Sequence, residues 1–211
     1  MARVKICGLT NLNDAQLAAD LGAWALGMVF WPRSPRRCPR DEAARITAAL
    51  RRRVELAGVF VDAPLDSVAR AADELALTMV QLHGDEGPSY CAEVARRTGC
   101  KVIKAAKVRS LADLRALRPF RTDFHLLDSG SPAAPGGTGA TWDWALVEEL
   151  SDGVPVIASG GLSPDNVADA IRALRPFAVD TASGTEAAPG IKDPAKLEAF
   201  FTAARAPSVP A

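Results

Sequence analysis

The chain reads as a single compact (β/α)8 barrel, an α/β fold, and three observations carry that reading. Eight short apolar runs recur along its 211 residues. Stretches with helical spacing or helix-capping residues fall between them. The side chains suited to chemistry crowd the C-terminal ends of the runs, the face on which barrels of this class build their sites.

The strand candidates are 3–7, 24–30, 54–61, 78–82, 101–106, 123–128, 154–158 and 177–182. They are continuous apolar runs rather than clean alternations, as parallel strands covered on both faces require. Helices are placed by their punctuation. Gly22 reads as the stop of the first helix. Leu65, Val68, Ala72 and Leu75 keep helical spacing after Pro64. Gly99 reads as a second stop, and Ser110 with Asp113 forms a capping box ahead of a Leu-rich stretch. Ser163-Pro164 and Asp193-Pro194 each set a capping side chain before a proline at the first helical position. Barrels of this class usually run to about 250 residues with a floor near 200, so the loops must be short. An open doubly wound sheet leaves one or two units over, and no G-x-G-x-x-G follows the first strand. Residues 1–205 are expected to form one domain, and the Pro- and Ala-rich 206–211 a disordered tail.

Composition narrows the functional classes. Twenty-five basic and 25 acidic side chains leave no net charge and no basic stripe for nucleic acid. No apolar run approaches the roughly 18 residues that span a bilayer, so no membrane partner is expected. Cys7, Cys38, Cys91 and Cys100 include no C-x-x-C pair, and Met1-Ala2-Arg3 leads straight into a strand. Free thiols in a reducing cytoplasm are the expectation. The only two histidines, His83 and His125, stand on different strands, so neither a metal nor a cofactor is expected. Oligomeric state is not legible.

The residues at and just past the strand ends assemble a candidate site. Cys7 ends the first strand, against the turn Gly8-Leu9-Thr10, where a thiol is both held and approachable. Taken alone, it is a small core residue. Strand 2 leads into Ser34-Pro35-Arg36, and the Arg36 guanidinium suits a bidentate grip on a carboxylate. Strand 4 ends in Gln81-Leu82-His83 and strand 8 in Asp180-Thr181-Ala182, so His83 and Asp180 are both expected to face a bound substrate. Asp128 closes an apolar strand, where a carboxyl serves as a general acid or simply caps a loop. Gly160-Gly161 and Ser183-Gly184 occupy the loops after strands 7 and 8, the common phosphate cradle of the fold. Either pair alone reads as a tight turn. Gly136-Gly137-Thr138-Gly139 lacks the strand and the Gly-Lys of a P-loop and reads as a flap, with Trp142 and Trp144 anchoring the next helix.

Taken together, Lys5-Ile6-Cys7-Gly8, Ser34-Pro35-Arg36, Gln81-Leu82-His83-Gly84, Leu127-Asp128, Gly136-Gly137-Thr138-Gly139, Ser159-Gly160-Gly161-Leu162, Ser183-Gly184 and Pro189-Gly190-Ile191-Lys192-Asp193 resemble the phosphoribosylanthranilate isomerase family. The ordered set spans residues 5 to 193. The resemblance implies a cofactor-free barrel enzyme of tryptophan biosynthesis. Such enzymes carry N-(5-phosphoribosyl)anthranilate to 1-(2-carboxyphenylamino)-1-deoxyribulose 5-phosphate by an Amadori rearrangement. It implies Cys7 as general base, Asp128 as general acid, Arg36 on the anthranilate carboxylate, and the backbone of Gly160, Gly161, Ser183 and Gly184 around the phosphate. The chain departs from the family pattern at Arg37, where an aromatic is common, at Thr181-Ala182-Ser183-Gly184-Thr185-Glu186, where Val-Ser-Ser-Gly-Val-Glu is common, and at Ala140, where Lys is common. Among rivals, an indoleglycerol-phosphate synthase needs a catalytic lysine on the inner strands, for which Lys104 is the candidate. A barrel that only binds a phosphorylated ligand needs the glycine loops but not Cys7 and Asp128 together.

Overall fold

A computed structural model describes residues 2–128 and 153–206. Eight parallel strands close into a barrel in sequence order: β1 (Arg3–Ile6), β2 (Ala25–Val29), β3 (Glu55–Phe60), β4 (Met79–Leu82), β5 (Lys101–Lys107), β6 (Phe124–Asp128), β7 (Val156–Ser159) and β8 (Ala178–Thr181). All eight expected strands are present. β8 closes on β1 with Lys5 beside Asp180, and β6 meets β7 with Asp128 beside Ser159. The helices among the described residues are α1 (Leu12–Asp20), α2 (Arg40–Leu50), α3 (Leu65–Glu74), α4 (Pro88–Thr98), α5 (Leu111–Arg115), α6 (Val167–Leu174) and α7 (Pro194–Arg205).

The period-2 geometry of each strand divides its residues between two cores. Ala25, Ala57, Met79, Ile103, Phe124, Leu126, Ile157 and Ala178 pack together inside the barrel. Their neighbours Leu26, Leu56, Val80, Val102 and Val179 pack outward with the helices, whose contribution includes Phe200 and Phe201 of α7. Each of those phenylalanines is fully buried and stabilises by about 1.5–3 kcal/mol. Trp24, Phe124 and Phe177, with ring centroids 5.0–5.5 Å apart, plug the N-terminal mouth. The opposite mouth is left for polar groups.

The caps follow the sequence closely. Asn11 and Ser110 accept from the backbone N–H of Asp14 and Asp113, and Asp193 accepts from Ala195 and Lys196 ahead of Pro194. Gly99 ends α4 in the left-handed conformation that its missing Cβ permits. One expectation is corrected. Ser163-Pro164 does not open α6, which starts at Val167 with Asn166 as its cap residue. Ser163 instead forms a turn, donating its N–H to Asn166 Oδ1 and accepting from Val167 N through its carbonyl. The expected flap at 136–139, the Trp142 and Trp144 anchors and most of the tail lie outside the described residues.

Candidate active site

Strand alternation places the site. Inward positions on β1 are Arg3 and Lys5, and the next in register is Cys7, just past the strand but still tied to β8 by its N–H to the Thr181 carbonyl (2.8 Å). The same count carries Met79 to Gln81 and His83 on β4, Leu126 to Asp128 on β6, and Ala178 to Asp180 on β8. A cavity of about 540 Å³ opens at this mouth. Cys7, Arg36, His83, Asp128, Gly160, Gly161, Asp180 and Ser183 all line it. Gly184 stands immediately behind the wall, where an added Cβ would lie 1.9 Å from the Leu162 carbonyl oxygen. Only glycine fits that approach of the two loops. Gly160 and Gly161 both hold positive φ, 98° and 65°, which turns the backbone after β7 over the cavity. The element after β8 is a single 3-10 turn, Ser183–Thr185.

A buried ion pair underlies the thiol. Lys5, fully buried, donates to Asp180 Oδ1 at 2.6 Å, and Ser159 Oγ donates to Asp180 Oδ2 at 3.1 Å. Asp180 therefore meets the cavity with both oxygens already engaged. Gly27 of β2 supplies the space: a Cβ there would come within 2.8 Å of Cys7 Sγ and 3.2 Å of Lys5 Nζ. Burial pushes the Cys7 thiol above its ordinary range, and the nearby Lys5 charge only partly offsets this. Lys5 is pulled down by burial, but Asp180 and the neighbouring thiol outweigh that and hold it above its ordinary value.

Arg36 does not stand free. Its Nε and Nη2 form a fork on Glu186 (2.8 and 2.7 Å), and the Glu186 side chain is only 5% exposed. Burial works to raise the Glu186 carboxyl, yet the Arg36 bonds and the Lys192 charge hold it below the usual range. Lys192 is itself buried and donates to the Ala182 carbonyl at 2.8 Å. The clamp presets the guanidinium over the cavity through Nε and Nη2, and Nη1 takes no part in the fork.

On the far wall, Gln81 Nε2 lies 2.9 Å from His83 Nδ1, and His83 Nε2 lies 3.8 Å from Asp128 Oδ2. Lys104 occupies an outward position on β5. Its amine donates to Glu86 Oε2 (2.8 Å) and to the Gly84 carbonyl (2.6 Å), which locks the loop after β4. That removes the lysine on which the synthase rival rests. Among the described residues, no group of three or more His, Cys, Asp or Glu gathers to hold a metal ion, and no helix is long and apolar enough to cross a membrane.

Sequence reasoning passed over Gly27, Gln81, Glu186 and Lys192 as individual site residues. Gln81 was reachable by stepping back two residues from His83. Glu186 was not, because its 150-residue separation from Arg36 closes only in the fold.

A closed eight-stranded barrel whose open mouth gathers a thiol, a carboxyl and a clamped guanidinium beside two glycine loops is a barrel built to act on a small anionic molecule. The chain belongs to the N-(5'-phosphoribosyl)anthranilate isomerase family, whose model matches residues 4–203. It is 46% identical to the N-(5'-phosphoribosyl)anthranilate isomerase of Geobacter metallireducens over 98% of this chain and 100% of that one. The crystal structure of phosphoribosyl anthranilate isomerase from Thermotoga maritima superposes with a TM-score of 0.87 at 42% identity, covering 97% of this chain and 98% of that one. A further crystal structure of a phosphoribosyl anthranilate isomerase, in complex with reduced 1-(o-carboxyphenylamino)-1-deoxyribulose 5-phosphate, gives a TM-score of 0.84 at 40% identity, covering 97% of this chain and 98% of that one.

Proposed function

We propose that this chain catalyses the Amadori rearrangement of N-(5-phosphoribosyl)anthranilate to 1-(2-carboxyphenylamino)-1-deoxyribulose 5-phosphate in tryptophan biosynthesis, with Asp128 as general acid and Cys7 as general base. One observation carries the assignment of roles: Cys7 and Asp128 sit at inward register positions of β1 and β6, on the wall of one cavity. Protonated Asp128 donates to the ribose ring oxygen, and the furanose opens to a Schiff base. Cys7, as thiolate, removes the proton from the sugar C2. The resulting enolamine tautomerises to the aminoketone.

The high-lying Cys7 thiol makes the thiolate a minority form at neutral pH, while the proton affinity of that form makes it a strong base. Arg36, preset by Glu186, receives the anthranilate carboxylate. The backbone N–H groups of Gly160, Gly161, Ser183 and Gly184 surround the phosphate, with His83 and Asp180 between the two ends. No cofactor has a step in this scheme. The cytoplasm is the compartment that suits four unpaired buried thiols.

The test is direct. Purified protein mixed with freshly made substrate, without added metal or cofactor, should abolish the anthranilate-type fluorescence rapidly. Cys7→Ala and Asp128→Asn should each lower kcat by about 10²–10⁴-fold. Near-normal turnover in either variant removes that residue from its role.

A further inference from the structure

We propose that Gln81 is a positioning residue that holds His83 as the neutral Nε2–H tautomer and aims that hydrogen at Asp128. The inference rests on Asp128 acting as the general acid, and deepens that reading.

Two side-chain nitrogens meet beneath the cavity wall. Gln81 Nε2 and His83 Nδ1 are 2.9 Å apart. An amide nitrogen donates and does not accept, so Nδ1 must be the acceptor and carries no proton. A neutral ring with a bare Nδ1 keeps its hydrogen on Nε2. That nitrogen faces Asp128 Oδ2 at 3.8 Å.

The orientation of the amide follows from what it leaves unmet. Gln81 is 1% exposed, and its Oε1 is buried with no hydrogen-bond partner. Turning the amide over would put the NH2 group there instead, stranding both of its donors rather than one donor and the oxygen. Orphaned N–H groups are the rarer and costlier case, whereas a carbonyl with an unused lone pair is tolerated.

The spacing to Asp128 fits a bond that forms during the reaction. At 3.8 Å, His83 and Asp128 stand just beyond hydrogen-bond reach of each other. As Asp128 gives up its proton it becomes a carboxylate, and the waiting N–H closes on the developing charge. A donor aimed where charge appears stabilises the transition state more than the ground state. The opposite tautomer would turn a lone pair toward the new carboxylate. With the amide so oriented, the 2.9 Å contact sets the tautomer.

The chain has two histidines, so ring nitrogens can be read one at a time. Long-range 1H–15N spectra of the full chain, assigned with His83→Asn, separate a bare from a protonated ring nitrogen. At neutral pH, His83 should show a bare Nδ1 and a protonated Nε2. In Gln81→Leu the two tautomers should mix, kcat should fall about tenfold as one hydrogen bond is lost, and KM should stay within about twofold. Stability should hold or rise, because the substitution also removes a buried oxygen without a partner. That pattern separates positioning from a packing role.

Gln81→Glu preserves size, and its ionised carboxylate can only accept, so in that form it should place a proton on Nδ1 and lower kcat at least as far. A wild-type spectrum with Nδ1 protonated overturns the proposal, and so does wild-type kcat in either Gln81 variant. The spectra read the tautomer without reference to Asp128. Failure of the acid role, seen as full turnover in Asp128→Asn, is therefore a separate result.

Discussion

Replacing Lys5 by Met tests the buried charge beneath the thiol. The Lys5–Asp180 pair is 2.6 Å long, with side chains 0% and 7% exposed. At an effective dielectric near 20, that separation corresponds to about 6 kcal/mol of attraction, set against several kcal/mol of desolvation for each ion. Removing one partner of such a pair costs about 3–5 kcal/mol, because the other is left as an uncompensated buried charge. Ser159 Oγ still donates to Asp180 in the variant, which places the expected loss near the lower figure, about 3 kcal/mol. The Lys5→Met/Asp180→Asn double variant should regain most of that loss. Urea unfolding of wild type, both single variants and the double variant yields the coupling energy. The thiol reports independently. Without the Lys5 charge nothing local offsets the burial of Cys7 as strongly, so the pH at which Cys7 alkylation accelerates should move upward. A loss below about 1 kcal/mol, additive single variants, or a downward shift of the alkylation profile would each refute the reasoning.

Three further outcomes follow from the same contacts. Gly184→Ala should raise the concentration of inorganic phosphate needed for thermal protection by about tenfold or more, since its Cβ would overlap the Leu162 carbonyl and move the loop backbone; an unchanged midpoint places the phosphate elsewhere. Glu186→Gln should weaken the fork on Arg36 and raise KM about tenfold with a smaller change in kcat, as steady-state kinetics will show. Stability should decline at alkaline pH. Burial pushes Cys38 up to about 12 and Cys91 up to about 11, from an ordinary 9.0, so the unfolded thiols ionise first while the folded ones keep their protons. Their contribution is whole below pH 9 and drains as pH climbs toward 11 and 12, by at most about 1.4 kcal/mol per pH unit per thiol. Urea midpoints from about pH 8 to 11 should show this slope, and Cys91→Ala should flatten it above pH 9.

Much of the molecule was legible in the linear order of residues. The eight strands stand where the apolar runs stand, because each run is bounded by its own Gly, Pro or capping residues and needs no distant partner to be recognised. Asn11, Ser110 and Asp193 cap their helices through bonds spanning two or three residues, and the motifs at the strand ends pointed to the family by residue type and order alone. Ser163-Pro164 shows where local rules stop: a capping residue before proline opens a helix at Asp193-Pro194 but closes a turn here, where Asn166 Oδ1 accepts from Ser163 N–H and the helix begins only at Val167.

The relations among those residues came only with folding. Lys5 and Asp180 stand 175 residues apart in sequence, and Arg36 and Glu186 150, yet each pair shares a hydrogen bond because β8 closes on β1. Closure also left Asp180 with both oxygens occupied and Arg36 already gripped, and it turned Lys104 outward from a site its chemistry suited. It raised the Cys7 thiol, since desolvation depends on what surrounds a group and not on which residues precede it. A sequence carries residue types and spacings along one dimension; burial, register across a closed sheet and the direction of a side chain arise only when the ends of the sheet meet.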